Sequence, residues 1–191
     1  MSTQAQPVYL VSPNATEPKT RLGLYFYQAG NFTVQASAHG ATAGFFWLIN
    51  PVGSAVQVRI KHIDCVSQLT SALVATSAPR ITVERVTFTG TASGASVTPA
   101  KQFSTDAANV SSLRTASTGL SLSAGAAAFA FLPIASATAV GYNPATFISM
   151  DNAATDALVL TAGEGIVMRQ PDAGTASDTR KLTFNIIVEE L

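Results

Sequence analysis

Five consecutive apolar residues, Phe45-Phe46-Trp47-Leu48-Ile49, precede an alternating run, Val56-Gln57-Val58-Arg59-Ile60-Lys61. Between them lies a compact turn, Asn50-Pro51-Val52-Gly53-Ser54. The pentad has no polar break, which predicts a strand covered on both faces. The alternating run puts Val56, Val58 and Ile60 on one side and Gln57, Arg59 and Lys61 on the other, the period of a strand with one wet face. Asn50 can open a turn, Pro51 presets φ for its second position, and Gly53 can take positive φ. After His62 the apolar phase moves to Ile63 and Cys65, which predicts a β-bulge or bend near Lys61–His62. Two adjoining strands of a β-sandwich follow from this stretch.

The rest of the chain repeats the theme. Residues 1–20 are polar and punctuated by Pro7, Pro13 and Pro18, which predicts an extended N-terminal arm with room for a short strand at 8–11. Residues 21–191 read as one β-sandwich domain. Strand patterns fall at 22–27, 80–88, 142–148 and 157–160, with an apparent slip of phase at Glu84-Arg85. Residues 89–101 read as a long loop. Residues 106–110 could start a short helix and 110–115 a strand. The Ala-rich 125–128 is open to either reading, although its flanks favour a strand running to Pro133. Gly163-Glu164-Gly165 reads as a turn between two strands, and 169–179 as a polar loop. Leu182, Phe184, Ile186 and Val188 alternate with Lys181, Thr183 and Asn185, leaving Ile187 as an apolar exception on the second face. No segment keeps a 3.6-residue period. The fold class is therefore all-β, an antiparallel sandwich, and the long connections suit a jelly roll better than a meander.

Composition narrows the function classes. Charged residues are only 12% of the chain, and the formal net charge is zero. Lys and Arg are scattered, so no nucleic-acid stripe is expected. No run approaches the ~18 apolar residues of a membrane span. No signal peptide is visible at Met1-Ser2-Thr3-Gln4. Asn14, Asn31 and Asn109 each begin an Asn-x-Ser/Thr triplet, read as chance in a Ser/Thr-rich chain. Cys65 is the single cysteine and reads as a small core residue.

A catalytic constellation cannot be assembled. His39 and His62 are the only histidines, 23 positions apart, without the His-x-His spacing of a jelly-roll metal site. There is no Gly-x-Ser-x-Gly elbow. Gly163-Glu164-Gly165 lacks the Lys and helix of a phosphate loop. Asp151 and Asp156 flank a polar loop but lack EF-hand spacing. The chain is thus expected to have no catalytic residues, no metal and no cofactor. His62, where the strand phase slips beside Lys61 and Asp64, is either a half-buried strand histidine or a subunit contact.

The run from Phe46 to Lys61, with its Asn-Pro-x-Gly-Ser turn and Arg-bearing second strand, resembles a module of tailed-bacteriophage structural proteins. Thr98-Pro99-Ala100-Lys101 and Leu158-Val159-Leu160-Thr161-Ala162-Gly163-Glu164-Gly165 are similar to that group too. The resemblance covers residues 44 to 168 in patches and leaves the arm unmatched. It implies a jelly-roll virion component without catalysis, made in the host cytoplasm and carried on the particle surface. A capsid decoration (cement) trimer that binds the major capsid protein is the foremost expectation. A head or tail fibre knob that binds receptor glycans, or a minor jelly-roll capsid protein, is the alternative. The expected partners are copies of itself and other virion proteins, with no nucleic acid and no membrane. The candidate interface residues are Pro7, Tyr9 and Pro13 in the arm, with Arg59 and His62 on the strand.

Overall fold

The computed structural model describes residues 21–40, 42–69, 79–87, 94–115, 128–133, 141–149, 158–175 and 179–191. The strands are β1 (Gly23–Thr33), β2 (Phe46–Ile49), β3 (Val58–Leu69), β4 (Arg80–Thr87), β5 (Ala95–Val97), β6 (Ala100–Lys101), β7 (Ser112–Thr115), β8 (Ala128–Pro133), β9 (Gly141–Ser149), β10 (Leu158–Leu160), β11 (Glu164–Arg169) and β12 (Lys181–Glu190). They form two antiparallel six-stranded sheets. In the first, β3 is flanked by β12 on one side and by β10 and β9 on the other, and the order continues through β12 to β1 and β6. The second runs β5-β7-β2-β11-β4-β8. The all-β sandwich expected from the sequence is what the chain forms.

The pairing has a simple logic. β1 lies against β12, β2 against β11, β3 against β9 and β10, and β4 against β8. Along the chain, β1 to β4 alternate between the two sheets, as do β10, β11 and β12. The short strands β5, β6 and β7 extend the two sheets beside β1 and β2.

The core fills the space between the sheets. Tyr25, Tyr27, Phe46, Leu48, Ile60, Ile63, Ile166, Leu182, Phe184 and Ile186 are buried there. Phe46 and Phe184 meet edge to face across it, ring centroids 5.2 Å apart. Each large apolar side chain buried in this way contributes roughly 1.5–3 kcal/mol. The alternation of β12 is regular: positions 182, 184, 186, 188 and 190 are all buried.

Several details depart from the sequence reading. β2 and β3 are successive but lie in different sheets, so the turn between them changes layer. Its closing bond runs from the N–H of Ser54 to the carbonyl of Pro51, which makes Pro51 the first turn residue rather than the second. Gly53 does take positive φ, +79°. Asn50 bonds the β10–β11 turn instead: its backbone pairs with Glu164 and Gly163, and its amide donates to the carbonyls of Val56 and Leu160.

All four β2 residues are buried, as the unbroken apolar run requires. Phe46 and Leu48 face the core, while Trp47 and Ile49 join Val86 and Val167 in a second cluster on the outer side of that sheet. This second buried face also explains β4. Its register with β11 runs unbroken from Thr82 to Thr87, with Ile81 and Val83 inward and Val86 outward. The apparent slip at Glu84-Arg85 therefore reflects burial on both faces; only the pairing with β8 is irregular, between Val83 and Glu84.

Residues 106–110 form no helix. Their donors are spent elsewhere: the N–H of Ala107 on the carbonyl of Leu22, that of Val110 on the carboxylate of Glu190. The loop expected at 89–101 contains β5 and β6. β1 extends well past Tyr27, through a register shift between Ala29 and Phe32 where Asn31 takes φ 64°. The arm, its strand at 8–11 and the acidic pair Asp151 and Asp156 lie outside the described residues.

Candidate interaction surface

The outer face of the first sheet is built by the register of β1, β12 and β3. The bulge predicted near Lys61–His62 is present: Ile187 pairs with His62 and Val188 with Ile60, leaving Lys61 as the extra residue. The shift keeps Ile60 and Ile63 both inward, and so leaves Arg59 and His62 both outward. Three rows cross the face. Leu24, Glu189 and Arg59 form the first; Phe26, Ile187 and His62 the second; Gln28, Asn185 and Asp64 the third.

The polar groups of these rows pair with one another. Arg59 donates to Glu189 at 3.2 Å and Lys61 stands 4.0 Å from the same carboxylate. His62 Nε2 lies 2.8 Å from Asp64 Oδ2, and the Gln28 amide donates to Asn185 at 3.1 Å. At this partial exposure each ion pair contributes about 0–1 kcal/mol. Arg59 Nε is buried without a hydrogen-bond partner.

The apolar side chains of the face are not so covered. Leu22 is 39% exposed and Phe26 37%. Gly23, Tyr25 and Tyr27 point into the sandwich, so the two-residue period puts Leu22, Leu24 and Phe26 on its outside. On the loop after β6, at the sheet edge, Phe103 is 54% exposed. It stands on a short loop fixed to β1: the N–H of Gln102 donates to the carbonyl of Leu24, and the Asp106 carboxylate accepts from the N–H groups of Leu24 and Phe103.

Of the sequence-predicted interface residues, Arg59 and His62 thus share one outer face, and Pro7, Tyr9 and Pro13 lie outside the described residues. Sequence reading missed Phe26 and Phe103. Ile187 had stood out as an apolar exception, and its place beside Phe26 is the signal that could have led there.

A second polar cluster joins the 34–44 segment to the 169–174 segment. Gln170 is buried; its amide accepts from the N–H of Gln35 and donates to the carbonyls of Gln35 and Asp172. The N–H of Gln170 donates to His39 Nδ1 at 2.9 Å. Burial, then the positive charge of Arg169, hold the His39 imidazole below its ordinary pKa. Arg169 also pairs with Glu84 at 2.8 Å, and Glu84 accepts from the Thr82 hydroxyl. On the exposed side Arg80 grips Asp172 with two nitrogens, holding that carboxyl below the usual range. The cluster spends most of its donors and acceptors internally, leaving Arg169 Nε buried without a hydrogen-bond partner among the described residues, and this suits a seam between loops.

Two further groups bear on chemistry. Burial, reinforced by Asp64, pushes the Cys65 thiol up to about 12, so it is no nucleophile in the fold. Glu164 sits in the turn after β10. Its burial raises the carboxyl, but hydrogen bonds from the Thr161 N–H and hydroxyl and the charge of Arg85 outweigh that and hold it low. Among the described residues, no three His, Cys, Asp or Glu side chains are grouped to hold a metal ion.

Compared with protein-family models, with curated proteins and with solved structures, the chain matches none of them.

Proposed function

We propose that this chain is a non-enzymatic virion structural protein of a tailed bacteriophage: a capsid decoration subunit that assembles as a trimer and binds across neighbouring capsomers on the particle surface. We propose also that its sandwich is a jelly roll. The pairing of β1 with β12, β2 with β11, β3 with β9 and β4 with β8 supports that wiring.

The observation that carries the functional reading is the outer face of the first sheet. Its polar side chains pair with each other, Arg59 with Glu189 and His62 with Asp64, while Phe26 stays exposed beside Ile187. Such a face offers little unpaired polarity to orient a small substrate. It gains free energy by being covered, at roughly 25 cal/mol per Å² of apolar area removed from water. The resemblance of residues 46–61 to phage structural modules supplies the setting.

The mechanism is adhesion by several weak contacts at once. A trimer that touches several shell subunits converts later contacts into intramolecular ones, which raises avidity without new chemistry. Because it binds the assembled shell and not its separate subunits, it stabilises the shell by mass action.

Co-sedimentation with tailed-phage heads stripped of their decoration tests the proposal. The full chain is expected to pellet with heads, saturably, and to raise their resistance to heat or chelation. A chain that stays in the supernatant, or that binds host glycans reproducibly and ignores heads, overturns it in favour of a receptor-binding knob.

A further inference from the structure

Leu22, Leu24 and Phe26 occupy successive outward positions of one strand, and Ile187 lies directly across from Phe26 on β12. The neighbouring Phe103 is exposed yet anchored, because Gln102, Phe103 and Asp106 are all hydrogen-bonded in the loop that hugs β1. Leu22 and Phe26 are two of the four large apolar side chains exposed among the described residues; Phe103, on the adjoining loop, and Val52 are the others. An apolar patch held on rigid backbone has already lost the conformational freedom that binding would otherwise cost, so covering it returns most of the burial free energy.

The place of the patch limits what covers it. The described chain begins at Arg21, at the margin of the patch, and twenty residues precede it. Within them Val8-Tyr9-Leu10-Val11 is the one run of four apolar residues, bounded by Pro7 and Ser12-Pro13. It matches the patch in chemistry, and its bounding prolines limit an extended segment to a few residues. The ten residues between Val11 and Leu22 span up to ~35 Å when extended. The first sheet, five strand positions across because β9 and β10 share one side of β3, is only about 19 Å wide at ~4.8 Å per strand. The arm can therefore cross its own sheet and reach a neighbour. An arm of that reach can be given to a second copy, and mixed-isotope cross-linking separates that arrangement from binding by the chain's own arm.

We propose that residues 7–13 of one copy of this chain bind the Leu22–Phe26–Ile187 patch of a second copy. The contact is heterologous, arm to patch, so each subunit gives one arm and receives one. Such contacts close into a ring when the rotation permits. The inference rests on the proposed oligomeric decoration role and names the contact that would build the oligomer.

The test places a photoreactive benzoylphenylalanine at position 26 of the full chain and irradiates an equal mixture of light- and heavy-isotope protein. Cross-linked peptides are then read by mass spectrometry. The expected product joins position 26 to residues 7–13 in mixed-isotope pairs. Cross-links to 7–13 within one isotope only, cross-links elsewhere, or none at all overturn the proposal. Head binding by the same protein is measured separately. Arm-to-patch cross-links without head binding would sustain this contact and sink the decoration reading; head binding without them would do the reverse.

Discussion

Glu190 accepts hydrogen bonds from both the backbone N–H and the hydroxyl of Ser111, at 2.7 and 2.6 Å. Its carboxylate also accepts from the N–H of Val110, and both residues are wholly or almost wholly buried. Tyr27 completes the group: its hydroxyl donates to the Ser111 carbonyl at 2.7 Å, and burial pushes its pKa to about 12. The last strand thus ends on a carboxylate that pins the segment leading into β7. Glu190→Ala should take the acceptor from the buried N–H of Ser111 and the half-buried N–H of Val110, and leave the Ser111 hydroxyl with Tyr27 alone, at about 1–3 kcal/mol for each buried group left unsatisfied. Urea unfolding is expected to show a loss of about 2 kcal/mol or more by that arithmetic. A loss below ~1 kcal/mol would mean that the network is not what holds the segment.

Two glycines should respond to Ala in different ways. At Gly53 an added Cβ meets nothing, but φ is +79°, so the cost is that of left-handed backbone, roughly 1–2 kcal/mol. At Gly44 an added Cβ would stand 2.4 Å from Val167 Cγ2 and 2.8 Å from the Met168 carbonyl. Gly44→Ala is expected to cost more than Gly53→Ala, because backbone and a packed core residue must both move. Thermal unfolding of the pair checks the order.

Acid should weaken the fold in two stages. His39 is held below its ordinary 6.5 in the folded chain, by burial first and Arg169 second. The unfolded chain therefore binds the proton more readily, so His39 favours folding above pH 6.5 and that contribution is lost as pH falls below it. Glu164 is held below 4.5, so its contribution is present above 4.5 and lost as pH falls further. His39→Gln should flatten the first stage and leave the second. Denaturant midpoints measured from pH 7.5 to 3.5 will show it; an unchanged upper stage in the variant would assign it elsewhere.

Cys65 should be silent in the native protein. It is 3% exposed, and burial with Asp64 beside it raises the thiol to about 12. Maleimide labelling at pH 8 is expected only after unfolding. Stoichiometric labelling of the native chain within minutes would mean that the β3 core opens easily.

How far the sequence led depended on whether a strand had one buried face or two. β12 was plain because its outward positions are polar: Leu182, Phe184, Ile186 and Val188 mark the core side without ambiguity. The same rhythm carried to position 190 would have marked Glu190 as inward, yet a carboxylate in a core position reads as the end of a strand. The bulge at Lys61 was legible because it moves the apolar phase. β4 misled because Val86 is buried on the outer side, which imitates a phase change. The short β5 and β6 have no pattern of their own; β6 exists because β1 offers Tyr25 and Phe26 as partners. Of the candidate surface, Arg59 and His62 were visible as polar residues at a bulge. Phe26 was not, since an aromatic in a strand ordinarily means core, and only the register shows that it faces outward.

Sedimentation equilibrium of the full chain over a wide concentration range tests the claim on which the rest depends, that this sandwich works by adhering to copies of itself. The account predicts self-association to a trimer, weakened when Phe26 and Phe103 are both replaced by Ser. A chain that remains a single subunit at every concentration would contradict it.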